Sequence, residues 1–257
     1  DVDLAVANSG SNTVSILRNN GNGTFAAAVN YATPNGPVDV TIGLANWLDG
    51  NPDLVVANQA ANSISVFSGN GDGTFAAATH FPLPTTPPTS GPTSVSIGNL
   101  NAGSTPDLAV AFNGTTVALM HGTEDGEYQL AGGFSVANPG QVTLGDVNFD
   151  ANLDVLIPSQ GDNSVTIFTA ATPGFFAHPP MAAGVQPRSL VLGDIHPVTY
   201  VDMAVANFNS DTVSVYLGSA FPSEPPFFSE KVDYPVGDGP TSLVIGDFNA
   251  DAHADHH

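Results

Sequence analysis

Two nine-residue stretches carry oxygen-bearing side chains at alternate positions: Asp146-Val-Asn148-Phe-Asp150-Ala-Asn152-Leu-Asp154 and Asp247-Phe-Asn249-Ala-Asp251-Ala-His253-Ala-Asp255. Side-chain oxygens at positions 1, 3, 5 and 9, with a backbone carbonyl at position 7, can converge on one hard cation. Calcium takes about six to eight oxygens at about 2.3–2.6 Å, and a tight loop with alternate residues turned inward supplies them. Three carboxylates and one amide amount to a formal charge of about −3, which is self-repelling without a divalent ion. The chemistry these spacings point to is cation binding.

Each loop ends on the first residue of a phrase that recurs along the chain: Asp3-Leu-Ala-Val-Ala-Asn8, Asp53-Leu-Val-Val-Ala-Asn58, Asp107-Leu-Ala-Val-Ala-Phe112, Asp154-Val-Leu-Ile-Pro-Ser159 and Asp202-Met-Ala-Val-Ala-Asn207. The leading aspartates are 50, 54, 47 and 48 residues apart, and the lead-in returns at Asp255, 53 further on. Repetition at this period marks a propeller or solenoid, whose units hide their apolar faces only against one another. Each unit predicts four strands. Strand one is of Val-x-Ile-Gly type (Val38–Gly43, Val95–Gly98, Val142–Gly145, Leu190–Gly193, Leu243–Gly246), and strand two is the recurrent phrase. Strand three alternates (Thr13–Leu17, Ser63–Phe67, Thr116–Met120, Ser164–Phe168, Thr212–Tyr216), and strand four runs from an aromatic such as Phe25 or Phe75 to Tyr31 or Phe81. Period-two alternation, β-branched enrichment and Asn/Gly turns support strands throughout, and no stretch carries a capped helical pattern. Strand two is apolar on both faces, as a strand sandwiched between sheets must be.

The predicted fold is all-β: a five-bladed β-propeller of four-stranded antiparallel blades, one domain over residues 1–257. The units are 1–35 plus 239–257, 36–90, 91–137, 138–185 and 186–238. Leu243–Gly246 lacks a strand two after it and Leu4–Asn8 lacks a strand one before it, so pairing them would close the ring and remove its open edges. A slice from a longer array is the competing reading. The chain opens on Asp1 rather than Met, the start expected of a processed or excised segment.

The acidic loops, followed by Leu-Ala-Val-Ala-Asn inside a 50-residue β-unit, resemble the FG-GAP/VCBS repeat family over essentially the whole chain. That repeat builds the propeller head of integrin α-subunits, calcium-containing lectins and some polysaccharide lyases. The resemblance implies calcium in each intact loop, bracing the blade. Its ligands would be Asp146, Asn148, Asp150, the carbonyl of Asn152, and Asp154; in the second loop, Asp247, Asn249, Asp251, the carbonyl of His253, and Asp255. The family favours Gly at position 6, where this chain has Ala151 and Ala252, so either φ stays negative there or strain is accepted. The other loops depart further. Leu44–Asp53 lacks the first aspartate, Asn99–Asp107 has a single carboxylate, and Asp194–Asp202 has Val198 at position 5. In these three the last aspartate is expected to cap the loop backbone as an Asx-type acceptor.

The chain has 24 acidic residues against 3 basic ones. Neutralising phosphates takes Lys and Arg, so nucleic acid and anionic membrane are poor partners. Cysteine is absent, which rules out disulfides and thiolate metal sites, and no run of about 18 apolar residues is present to span a bilayer. The histidines show no zinc spacing, no Gly-x-Ser-x-Gly elbow appears, and no carboxylate pair stands out as a hydrolytic dyad. His256 and His257 are assigned no role, since they could be a tag remnant. Trp47, Tyr200 and Phe208 lie in or near loops and are candidate ligand-binding aromatics; the alternative is that they wedge between blades. The functional expectation is a non-catalytic binding module, secreted or at a cell surface, most simply bacterial, with calcium in its loops and a glycan or extracellular protein as ligand. An extracellular carbohydrate-active enzyme (lyase or hydrolase) or its accessory domain, and a structural segment of a longer surface protein, are the alternatives.

Overall fold

The computed structural model describes residues 2–45, 49–83, 91–101, 103–171, 174–196, 200–219 and 227–246, and the backbone of 255–256. Its regular elements are all β-strands. The chain divides into two compact units, Asp1–Phe134 and Ser135–His257, each described by itself.

In the first unit β1 (Leu4–Asn8), β2 (Thr13–Leu17) and β3 (Val29–Ala32) form a three-stranded antiparallel sheet in sequence order. Two four-stranded antiparallel sheets follow. One is β4 (Pro37–Gly43), β5 (Asp53–Asn58), β6 (Ser63–Phe67) and β7 (Thr79–Pro82); the other is β8 (Pro92–Gly98), β9 (Asp107–Phe112), β10 (Thr116–Gly122) and β11 (Tyr128–Ser135). The second unit opens with β12 (Thr143–Gly145), β13 (Asp154–Ser159) and β14 (Ser164–Ala170), with β15 (Phe175–Ala177) and β16 (Met181–Ala182) both on β14. Then come β17 (Pro187–Gly193), β18 (Asp202–Asn207), β19 (Thr212–Tyr216) and β20 (Val232–Pro235), and last the pair β21 (Ile245–Gly246) and β22 (Asp255–His256).

The apolar-on-both-faces strand two is explained by what its alternate residues meet. Leu54 and Val56 of β5 pack with Val14 and Ile16 of the preceding sheet. Val55 and Ala57, pointing the other way, join Val95, Leu108 and Val110 of the following one. Burying one such Leu or Val contributes about 1.5–3 kcal/mol, and every one of the six residues of β5, β9, β13 and β18 is buried. Where strand two ends in Asn, its amide begins a polar rung across the sheet. Asn58 Nδ2 donates to Ser65 Oγ (2.8 Å), which meets His80 Nδ1 (2.8 Å), and Asn207 Nδ2 donates to Ser214 Oγ (2.8 Å), which donates to Asp233. A buried amide without such partners would cost about 1–3 kcal/mol.

Strand one ends on Gly for a steric reason. A Cβ on Gly43 would lie 2.4 Å from Ile97 Cγ2, one on Gly145 2.4 Å from Leu192 Cδ1, and one on Gly193 3.0 Å from Ile245 Cδ1. Consecutive first strands therefore stack with an aliphatic side chain seated over a glycine. The next corner is turned by Asn12, Asn62, Asn163 and Asp211, all at φ between 49° and 55°. Asn12, Asn163 and Asp211 each accept a backbone N–H from the turn that follows strand four (Gly36, Gln186 and Gly239, 2.8–2.9 Å), which holds successive repeats at a set spacing.

The four-stranded antiparallel units are as expected, but the ring closure is not among the described sheets. Leu243–Gly246 was expected to lie on Leu4–Asn8. Instead β21 pairs with β22, Gly246 opposite Asp255, in the register of Gly43↔Asp53, Gly98↔Asp107, Gly145↔Asp154 and Gly193↔Asp202. The local partner wins because closing a loop of about ten residues costs less entropy than closing one the length of the chain. There are thus six described sheets, the first lacking strand one and the last holding strands one and two.

Candidate functional site

The leading aspartate of each repeat sits where strand two begins, between the acidic loop and the end of strand three. In the second unit Asp154 is fully buried and accepts from Ala170 N–H through Oδ1 and from Val147 N–H through Oδ2, both 2.9 Å. Asp202 accepts three, from Gly218 (2.7 Å), Ile195 (2.8 Å) and His196 (2.8 Å). Asp107 accepts from Gly122 and Leu100 N–H and from the Asn101 amide, and Asp53 from Gly69 N–H. This aspartate staples loop to sheet with backbone bonds. That is the capping role expected for Asp53, Asp107 and Asp202, and Asp154 makes the same bonds.

Apart from Val147, which is buried in the core, the rest of the intact loop is half-buried to exposed and folded on itself. Asp146 accepts from Asp150 N–H (3.1 Å) and Ala151 N–H (2.8 Å), while Asp150 accepts from Asn152 N–H (2.8 Å) and Asn148 Nδ2 (3.0 Å). Among the described residues no three of His, Asp or Glu converge as a metal site. The charges are nevertheless felt. Burial first, and then the charges of Asp150 and Asp146, raise Asp154 from 3.8 to about 6. Hydrogen bonds from Asn152 and Asn148 outweigh partial burial at Asp150 and hold it below its ordinary value. The raised Asp154 favours folding while it stays neutral, so its contribution is present below about pH 4 and is lost as pH rises through about 6. A divalent cation in the loop would relieve that repulsion, so the donor set fits calcium in composition, with Asp146, Asn148, Asp150 and the Asn152 carbonyl outermost and Asp154 behind them.

Position 6 accepts strain. Ala151 takes φ 68° and Phe149 φ 59°, both in the left-handed region. Ala151→Gly is expected to raise stability by about 1 kcal/mol, read as a higher urea midpoint at unchanged slope. No gain would show that the turn relaxes in solution.

Tyr200, two residues before β18, meets Phe149 of this loop edge-to-face, with ring centroids 6.3 Å apart at 86°. Beside the pair opens a shallow pocket of about 290 Å³, lined by Asp146, Asp194, Tyr200 and the two strand-one glycines Gly145 and Gly193. Small residues at the stacked first strands leave this space, and two carboxylates with an aromatic wall suit a polyhydroxylated ligand. Phe208 is at the other end of β18, its ring 3.4 Å from the Arg188 guanidinium in a cation–π contact, so it does not join Tyr200. Arg188 belongs to β17 of the same sheet, so this contact is made within one repeat. Trp47 lies outside the described residues, as do Asp247, Asn249, Asp251 and His253; of Asp255 only the backbone pairing is described. Sequence reasoning missed Asp194 and Phe149 as partners of Tyr200, and the signal was present: both occupy the same type of acidic loop one repeat apart.

Repeated four-stranded antiparallel units with acidic inter-strand loops define a β-propeller-like repeat protein. Residues 47–110 match the family model of the FG-GAP-like repeat. No curated protein matches the chain. Among solved structures it is similar to a functionally unknown protein from Desulfotomaculum acetoxidans DSM 771, with a TM-score of 0.67 at 11% identity, covering 94% of this chain and 68% of that one. The periplasmic gluconolactonase of Pseudomonas aeruginosa gives 0.67 at 17% identity (92% and 68%), and BBS1N in complex with ARL6DN gives 0.62 at 15% (97% and 66%). At these identities the likeness is one of fold, and the chain spans about two thirds of each.

Proposed function

We propose that the chain is a non-catalytic glycan-binding module of a secreted or cell-surface protein, with calcium bracing the Asp146–Asp154 loop. The observation that carries this reading is the Tyr200–Phe149 pair standing beside a carboxylate-lined open pocket on that loop. Sugars offer apolar C–H faces to aromatic rings and hydroxyl donors to carboxylates, and the excess of acidic residues disfavours phosphate-rich partners. Calcium would be held by Asp146, Asn148, Asp150, the Asn152 carbonyl and Asp154. Bound there it would supply positive charge that offsets three carboxylates and would steady Phe149 against Tyr200, which lines the pocket.

Two outcomes follow. Adding calcium to about a hundred times its dissociation constant should stabilise the fold by about 2.7 kcal/mol, and a chelator should reverse the rise in Tm. A melting curve indifferent to both would remove the metal. On a glycan array with calcium present, Tyr200→Ala should weaken retention of the bound sugar at least about tenfold while leaving Tm unchanged. Absence of any retained glycan defeats the reading.

A second reading has its own support. Asp146 and Asp194 share the pocket, and one structural neighbour is a gluconolactonase, so an enzyme acting on a sugar-derived substrate is the alternative. Incubation with polysaccharides and sugar lactones, scored for product, separates the two: turnover abolished by Asp194→Asn replaces the binding module with an enzyme.

A further inference from the structure

In an Asn-Gly pair the glycine nitrogen can reach the side-chain amide before it, since no Cβ crowds the approach. The chain has five such pairs: Asn20-Gly21, Asn22-Gly23, Asn35-Gly36, Asn70-Gly71 and Asn113-Gly114. We propose that Asn22, in the turn between β2 and β3, is a site of self-modification. It converts to aspartate and isoaspartate through a cyclic imide with Gly23, and water is the co-reactant.

The turn activates this amide. Asn22 Oδ1 accepts the Thr24 N–H at 3.0 Å and the Thr24 hydroxyl at 2.6 Å. Two donors on one amide oxygen draw electrons from Cγ, and they already stand where an oxyanion forms when a nucleophile adds there. One repeat later the same donor pair holds a real negative charge. Asp72 takes the same two bonds from Thr74, whose hydroxyl first and N–H second hold its carboxyl below the ordinary value. The nucleophile is unhindered as well. Among the described residues Gly23 N–H donates to nothing, and a Cβ on Gly23 would meet no atom within 4 Å. Asn22 and Gly23 are both exposed, so water reaches them.

The step balances without any other group. Gly23 N loses its proton to water as it bonds to Asn22 Cγ, and the Cγ–Nδ2 bond breaks with release of ammonia. Water then opens the imide ring at either carbonyl, leaving an aspartyl or an isoaspartyl residue; nothing is oxidised or reduced. The aspartyl product fits the turn, because Asp72 already occupies its copy in the next repeat. The isoaspartyl product lengthens the main chain by a carbon and disturbs the bond from Asn20 N–H to Thr24 O (2.9 Å) that closes the turn.

Folding restrains three of the other pairs. Gly21 N–H donates to Asn19 Oδ1 and Gly36 N–H to Asn12 Oδ1, both at 2.9 Å, so each nucleophile is occupied. Asn20 and Asn70 spend Nδ2 on the hydroxyls of Thr24 and Thr74, at 2.9 and 2.8 Å, which turns each carboxamide across its loop. Such sites must open locally before they react.

The test ages the full chain at neutral pH and physiological temperature, folded and in urea. Peptide mass mapping follows each asparagine, and enzymatic methylation marks isoaspartate. In the folded chain Asn22 should convert at least about tenfold faster than Asn20, Asn35 or Asn70, whereas in urea the four rates should converge. Thr24→Val should slow Asn22 at least about tenfold in the folded chain and leave its rate in urea little changed. Thr24→Ser, which keeps the hydroxyl, should restore the folded rate. Protection of Asn22 by folding as strong as that of Asn35, or a folded Thr24→Val chain that converts as fast as the original, would overturn the assignment.

Discussion

Asp202→Ala is expected to lower the unfolding free energy by about 4 kcal/mol. The carboxylate is fully buried and accepts the N–H groups of Gly218, Ile195 and His196. Alanine leaves three backbone donors without this partner, at about 1–3 kcal/mol for each group kept from water; Ile195 and Gly218 are half-buried and His196 is exposed, so the first two carry most of the loss. Partial relaxation of the 194–196 turn keeps the total below a simple sum. Asp202→Asn should recover part of the loss, because the amide keeps one acceptor oxygen. Urea unfolding with unchanged slope is the measurement. The deficit should be the same with and without chelator; a deficit that vanishes in chelator would mean that Asp202 acts through a bound metal instead of through the backbone.

Gly91→Ala is expected to cost about 3 kcal/mol. Gly91 has φ 60°, and a Cβ there would lie 1.9 Å from the carbonyl oxygen of Gln59. Left-handed backbone costs a residue with a Cβ about 1–2 kcal/mol, and an overpacked contact against backbone adds about 1–3 more. The carbonyl cannot swing aside, because it belongs to the turn that joins β5 to β6. The corresponding corners of the second unit hold Asn138 and Gln186 at φ 50° and 56°, so a side chain is compatible with the corner where no carbonyl stands in its way. Asn138→Gly should accordingly be neutral or mildly stabilising. If Gly91→Ala were as mild, the close approach to Gln59 would not exist in solution.

The same contrast shows what could be read early and what could not. The leading aspartates were legible because they recur at a near-constant interval ahead of an apolar phrase, and the capping role of Asp53, Asp107 and Asp202 followed from their degraded loops. The left-handed corner at Gln186 was not legible: glutamine carries no turn signal, and its φ is set by the Asn163 oxygen waiting for its N–H. His80 looked like a stray histidine until Ser65 and Asn58 placed it at the end of a polar rung. Tyr200 was picked out by sequence as a loop aromatic, but only its partner Phe149 and the pocket beside Asp194 set it apart from Phe208, which Arg188 covers.

By itself the amino-acid sequence determined that this protein is built of repeated four-stranded β-units with acidic loops, because period, alternation and turn residues are local properties of the chain. Which strand covers which edge was decided by tertiary structure alone. Leu4 and Leu54 sit in nearly identical phrases, yet one is half exposed and the other buried, since burial depends on what the rest of the molecule brings alongside.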